Sequence, residues 1–277
     1  MGTLLKKLLK SITFHNFSVG LLFFLLSLFG CGESTSLNKT KKQKVIVAID
    51  VTLPPMAFLN DQKEIIGFDR DLIDAVAERA GWDVKIINVE WAGLFGGLIT
   101  HKFDVVISSV TILEERKKRM AFSIPYLRSG IALVVRKDTK NISSLEDAKK
   151  QGLTVGAKLG TTAYFLLEKK KDIKYKGYQE YGHAIADLIK KEIDIVLGES
   201  TGTLYYKANA PELFEKIKMI GENMTEEFYG IVLRKEDVSL MEELNQALLG
   251  LLNDGTVQKF HDKWTLGKAA MVPENTY

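Results

Sequence analysis

The chain has 277 residues, 46% hydrophobic and 26% charged, with 38 basic against 35 acidic side chains. That length accommodates two ordinary domains, and the composition is that of a packed globular protein, which excludes a disordered or fibrous chain. Three of the lysines and none of the acids fall in residues 1–30, so the remainder is formally neutral and no nucleic-acid-binding surface is expected.

In chain order, Lys6, Lys7 and Lys10 precede the apolar run "FSVGLLFFLLSLFG" (17–30). This run is shorter than the roughly 20 residues of a membrane span, so residues 1–30 read as an export signal, with a single-pass anchor as the alternative. The only cysteine, Cys31, follows at once in "LFGCGES". Leu28, Phe29, Gly30 and Cys31 resemble a bacterial lipobox, which implies lipidation of Cys31 and attachment to a membrane through that lipid. A lone thiol cannot close an internal disulfide. Residues 31–44 are polar and basic and read as a tether.

From Val45 onward short apolar strands alternate with amphipathic helices. "VIVAID" (45–50) is a buried-type strand. "GFDRDLIDAVAERAG" (67–81) places Phe68, Leu72, Ile73, Val76, Ala77 and Ala80 on one helical face and stops at Gly81. "VKIINV" is a strand, "GLFGGLITH" a helix, "FDVVISS" (103–109) a strand. After "GIALVVRK" (130–137) the pattern resumes with "LTVGAK", "TTAYFLLEKK", "IKYKGY", "HAIADLIKK" and "IDIVLG". "FYGIVLRK" (228–235) is a last strand before two helices split at Gly255. Such alternation predicts βαβ units and a mostly parallel sheet.

Two internal echoes predict two α/β lobes of one design. "LITHKFDVVISS" (98–109) matches "LIKKEIDIVLGE" (188–199), aligning Asp104 with Asp194, and "VIVAID" (45–50) matches "LTVGAK" (153–158). Ligands of open α/β sheets sit beyond the carboxyl ends of the strands. Facing lobes would therefore bring Asp50, Ser108–Ser109, Lys158 and Gly198–Glu199 to one cleft.

Just past one of these strand ends, "SSVTILEERKKRM" carries six consecutive charges, Glu114 to Arg119. Thr111 and Glu114 have capping-box spacing, which predicts a helix start that sets Arg116 near the strand end and Lys117, Lys118 and Arg119 toward solvent. A guanidinium there suits a carboxylate, because its rigid fork meets both oxygens. Gly160, Thr161 and Thr162 open another helix, whose free N–H groups and hydroxyls offer a second anion cradle, or an ordinary threonine cap. Glu199 suits an ammonium group or a neighbouring lysine. Trp91 is a core residue or an aromatic wall of the cleft.

These residues lie in "AIDVTLPPMAF", "GFDRDLIDAVAERAG", "W…L…L…KFDVVISSVTILEERKKRMAFSIPY" (from Trp91), "VGAKLGTTA", "IDIVLGES", "YGIVLRK" and "NDGTVQKFHDKW". Together they resemble the extracellular solute-binding proteins that serve polar-amino-acid ABC transporters. Thr111 and Arg116 followed by "FSIPY" (122–126) are the most specific part. The resemblance implies a two-lobed periplasmic-binding-protein fold of type II, with residues 44–127 and 229–266 in one lobe and 134–224 in the other. Residues 267–277 would be a tail, and "GIALVV" and "EEFYGI" the hinge strands. It further implies a monomer that captures a polar or basic amino acid by hinge closure and delivers it to a permease. By motif, Arg116 would clamp the α-carboxylate with help from Thr111 and the Thr161–Thr162 backbone. Glu199 would take the α-ammonium, and Ser109, Lys158, Asp50 and Trp91 would complete the site. Leu53 stands where relatives carry a second aromatic, Ser109 where many have Gly, and Glu199 where Asp is usual.

No metal cluster, cofactor motif or nucleophile–base pair is legible in the sequence. Two alternatives remain on the same fold: a dehydratase acting on cyclohexadienyl acids, with Glu199 as its acid, and a free-standing amino-acid sensor.

Overall fold

A computed structural model describes residues 42–203, 210–221 and 223–273, all within one compact unit. The expected export signal, Cys31 and most of the tether lie outside the described residues. The first lobe begins with β1 (Gln43–Ile49) and a small sheet of β2 (Thr52–Leu53), β3 (Ala57–Leu59) and β4 (Ile65–Ile66). Helix α1 (Phe68–Ala80) leads to β5 (Trp82–Asn88), and α2 (Trp91–Ile99) to β6 (Val105–Val106). A short α3 (Glu114–Lys117) and β7 (Ala121–Phe122) follow. β8 (Leu127–Ser129) then carries the chain to the second lobe.

The second lobe opens with β9 (Ile131–Arg136), α4 (Leu145–Gln151), β10 (Thr154–Lys158) and α5 (Thr162–Lys169). It continues with β11 (Lys174–Tyr178), α6 (Tyr181–Ile189), β12 (Ile195–Glu199), α7 (Pro211–Phe214) and β13 (Ile217–Ile220). The chain returns through β14 (Glu227–Tyr229), which pairs antiparallel with β8, and β15 (Val232–Leu233) rejoins the first sheet. Helices α8 (Val238–Asn253) and α9 (Thr256–Lys263) follow, separated at Gly255 as the sequence predicts.

The two sheets share one plan, β5-β1-β6-β15-β7 and β11-β10-β12-β9-β13. In each, a central strand pairs parallel with two neighbours, and the fourth strand runs antiparallel. Alternation along β1 sends Val45, Val47 and Ile49 to a core with α1 and α8, while Ala48 packs with Leu94 and Leu98 of α2. β9 divides likewise, Leu133 and Val135 facing one cluster and Val134 another.

Register makes the sequence echoes structural. Val47 pairs with Val105, and Val155 with Ile195, so Asp50 and Lys158 end equivalent strands. Asp104 accepts from the Ile46 N–H at 2.9 Å, and Asp194 from the Thr154 N–H at 3.0 Å. Each aspartate also meets an arginine that holds two carbonyls of its turn: Arg234 those of Leu98 and Phe103, Arg136 those of Leu188 and Ile193.

Three boundaries depart from expectation. "FDVVISS" pairs only at Val105–Val106, because Ser109 turns into left-handed backbone at φ 49. "FYGIVLRK" splits at 230, its first half in the crossing ladder and its second in the sheet. "GIALVV" belongs mostly to the second sheet, so the crossing pair is β8 with β14, slightly earlier than expected. Gly130 follows β8, where a β-carbon would lie 2.1 Å from the Thr225 carbonyl oxygen; the crossing segments approach too closely for a side chain.

Asp69, in the first turn of α1, is fully buried and accepts from the Ser109 hydroxyl at 3.0 Å and the Tyr126 hydroxyl at 2.9 Å. Burial raises its carboxyl from 3.8 to about 7 against those hydrogen bonds. Its stabilising contribution is fully present below about pH 4 and gone above about pH 7, a swing of up to ~4 kcal/mol. Asp69→Asn cannot titrate. The unfolding free energy of the wild type relative to Asp69→Asn, measured by urea denaturation, should therefore fall as pH rises between those values.

Candidate functional site

Arg116 stands apart from the charges around it. It is 8% exposed, whereas Lys117, Lys118 and Arg119 face solvent. Lys117 and Lys118 pair with Glu114 and Glu115 one turn back. The expected capping box does not form. Helix α3 starts after Leu113 with no side-chain cap, because the Thr111 hydroxyl is used elsewhere, donating 2.8 Å to a Glu227 carboxylate oxygen. Thr111 instead bridges to Tyr229 as an isolated β-pair. Arg116 turns back, donating to the Thr111 carbonyl at 2.9 Å and across the cleft to the Gly160 carbonyl at 3.1 Å. Its guanidinium lies 5.5 Å from the Trp91 ring centroid and 5.2 Å from that of Phe95.

Trp91 opens α2, with Phe95 packed edge-on one turn later at 5.4 Å. Leu53 packs on the first-lobe core. Phe95 is the second ring beside Arg116. At the strand ends, Asp50 and Lys158 meet: Lys158 Nζ donates 2.5 Å to Asp50 Oδ2 and 2.8 Å to the Thr52 hydroxyl. Thr161 takes its ordinary role as the cap of α5, accepting from the Tyr164 N–H and donating to the Lys158 carbonyl. The Thr162 hydroxyl donates 2.9 Å to the same Glu227 oxygen that receives Thr111. Ser109 is held away from this group, its hydroxyl on Asp69.

Glu199, the last residue of β12, is 7% exposed. Burial raises its carboxyl above the ordinary value, with Glu227 adding repulsion, against its own backbone N–H and the charges of Lys158 and Arg116. Among the described residues no other side chain hydrogen-bonds it. Burial also draws the Arg116 guanidinium down to about 10, opposed by Glu227 and Glu199, which leaves it charged at neutral pH.

A cavity of about 1120 Å³ opens between the lobes. It is lined by Asp50, Thr52, Trp91, Arg116, Gly160 and Thr162, together with Phe95, Thr225 and Glu227. Ile131, the ladder partner of Glu199, lines it as well. Of the residues expected from sequence, Asp50, Trp91, Arg116 and Thr162 line this space directly, while Lys158 and Thr111 touch its lining residues Asp50 and Glu227 from behind. Sequence reasoning missed Glu227, which joins Thr111, Thr162 and Thr225. The available signal was the pair "EE" opening a strand: alternate residues face opposite sides, so one of two adjacent glutamates must turn inward. Glu226 is the outward one, paired with Arg128.

With this geometry, residues 45–268 match the family of bacterial extracellular solute-binding proteins, family 3. The chain belongs to that family. It is 30% identical over 233 residues to the L-cystine-binding protein TcyJ of Escherichia coli K12, covering 82% of this chain and 85% of that one. It is 35% identical, with a TM-score of 0.75, to an ancestral arginine-binding protein bound to arginine, over 80% of this chain and 98% of that one. It is 30% identical, with a TM-score of 0.73, to the ancestral amino-acid-binding protein AncCDT-1, a precursor of cyclohexadienyl dehydratase, over 80% and 95% of the two chains. The family members so named are amino-acid-binding proteins of two-lobed fold, and this family is extracellular.

Replacing Glu227 by Leu strips the Thr111 and Thr162 hydroxyls of their acceptor and removes a carboxylate facing Arg116. We expect a loss of about 2–4 kcal/mol in urea unfolding. Glu226→Ala, at the exposed neighbour, should stay within about 0.5 kcal/mol of wild type.

Proposed function

We propose that this protein is the ligand-capturing component of an amino-acid ABC importer, closing its lobes on one free amino acid with a polar or basic side chain. The observation that carries the proposal is a buried guanidinium, Arg116, set near a buried carboxyl, Glu199, that no other side chain satisfies among the described residues. These are the two charges an amino acid's head requires. The Arg116 fork receives both carboxylate oxygens, aided by Thr111 and the Thr161–Thr162 backbone opening α5. Glu199 receives the α-ammonium, which relieves the cost of its burial. Asp50, Thr52 and Trp91 then meet the side chain. The cystine and arginine ligands named for the relatives support the same class.

In this reading Cys31 carries the lipid, residues 1–30 are removed on export, and the protein works as a monomer at the membrane surface beside its permease. The lobes are residues 44–127 with 229–266, and 134–224, hinged where β8 and β14 cross; residues 267–277 are a tail. It needs no cofactor and catalyses no reaction. A second reading, a dehydratase, draws on the raised Glu199 carboxyl, the property of a general acid, and on the AncCDT-1 likeness; turnover of prephenate or arogenate would establish it.

Calorimetry on protein stripped of bound ligand and titrated with each common amino acid tests the proposal. We expect one or a few to bind one-to-one, and Arg116→Ala to weaken binding about a hundredfold, the worth of two charge-assisted hydrogen bonds. Binding by none of them would overturn it.

A further inference from the structure

We infer that Lys158 is a built-in cation that fills the basic side-chain position of the cleft, so that this protein selects an amino acid with an uncharged polar side chain and rejects arginine and lysine. The inference rests on the amino-acid-binding proposal above and narrows it.

The features that favour a cationic ligand are a buried carboxylate, Asp50, and an indole face, Trp91. Both are already engaged by the chain itself. Lys158 Nζ lies 2.5 Å from Asp50 Oδ2 with the two side chains 6% and 3% exposed. The other Asp50 oxygen accepts from the Thr52 N–H at 3.1 Å. The Trp91 ring has Lys158 Nζ and Arg116 Cζ each 5.5 Å from its centroid. A ligand cation reaching Asp50 would stand directly beside the Lys158 ammonium in a site removed from water, where like charges repel strongly. An anionic tip would instead meet the Asp50 carboxylate.

A neutral polar tip has complementary partners. The ammonium has three donors, of which Asp50 and Thr52 take two. One remains for a carbonyl or hydroxyl oxygen, and the free lone pairs of Asp50 accept from an N–H. A carboxamide or a ureido group offers both.

Two nearly isosteric pairs separate charge from shape: citrulline against arginine, and glutamine against glutamate. By calorimetry the wild type should bind the neutral member of each pair about tenfold or more tighter. Lys158→Met should invert the first pair, arginine then exceeding citrulline about tenfold, because the ligand's cation replaces the one removed. If that variant does not fold, Asp50→Asn with Lys158→Met, which removes both charges, should abolish the discrimination. A wild type that prefers arginine or glutamate, or a variant that keeps the wild-type ratio, would overturn the inference while leaving the amino-acid-binding proposal standing. Failure of every amino acid to bind would overturn both.

Discussion

Five charged side chains, Asp50, Arg116, Lys158, Glu199 and Glu227, are withdrawn from water between two lobes, and the fold is arranged to meet that cost. Charges so placed are costly unless each finds a partner. Strand ends supply Asp50, Lys158 and Glu199; a short helix supplies Arg116; a crossing strand supplies Glu227. Lys158 and Asp50 satisfy each other across the cleft, and Arg116 reaches the Gly160 carbonyl on the far side. Glu227 accepts from a threonine of each lobe, so the crossing strand is tied to both. Glu199 alone of the five has no side-chain hydrogen bond among the described residues, and its burial raises its carboxyl.

Repetition makes this possible. Each lobe holds its turn with the same aspartate–arginine device, Asp104 with Arg234 and Asp194 with Arg136. The device fixes where the next strand ends and therefore where its polar residues stand. Asp50 and Lys158 occupy equivalent positions in the two lobes but carry opposite charge, so two copies of one design that face each other attract where identical residues would repel. The buried ring stack of Phe68 with Tyr126, and Asp69 behind Ser109, hold the first-lobe side of this floor.

Much of this was legible in the sequence because periodicity is local. The alternation of strands and helices, the echoes at Asp104 and Asp194, and the separation of Arg116 from Lys117 and Lys118 all follow from side-chain spacing. What spacing could not carry is tertiary partnership. Thr111 and Glu114 have the interval of a capping box, yet Glu227, over a hundred residues away, outcompetes the local acceptor. Lys158 reads as a candidate ligand contact, but its ion pair with Asp50 is visible only in the fold. The Thr161 side chain caps α5, a role its sequence context already offered.

The most direct measurement is a crystal structure of the protein with the amino acid that copurifies with it or binds it most tightly. The ligand's α-carboxylate should lie on the Arg116 guanidinium within hydrogen-bond distance and its α-ammonium on the Glu199 carboxylate, inside the interlobe cavity. A ligand whose carboxylate is held away from Arg116, or whose ammonium ignores Glu199, would contradict the assignment of this buried charge pair as the amino-acid site.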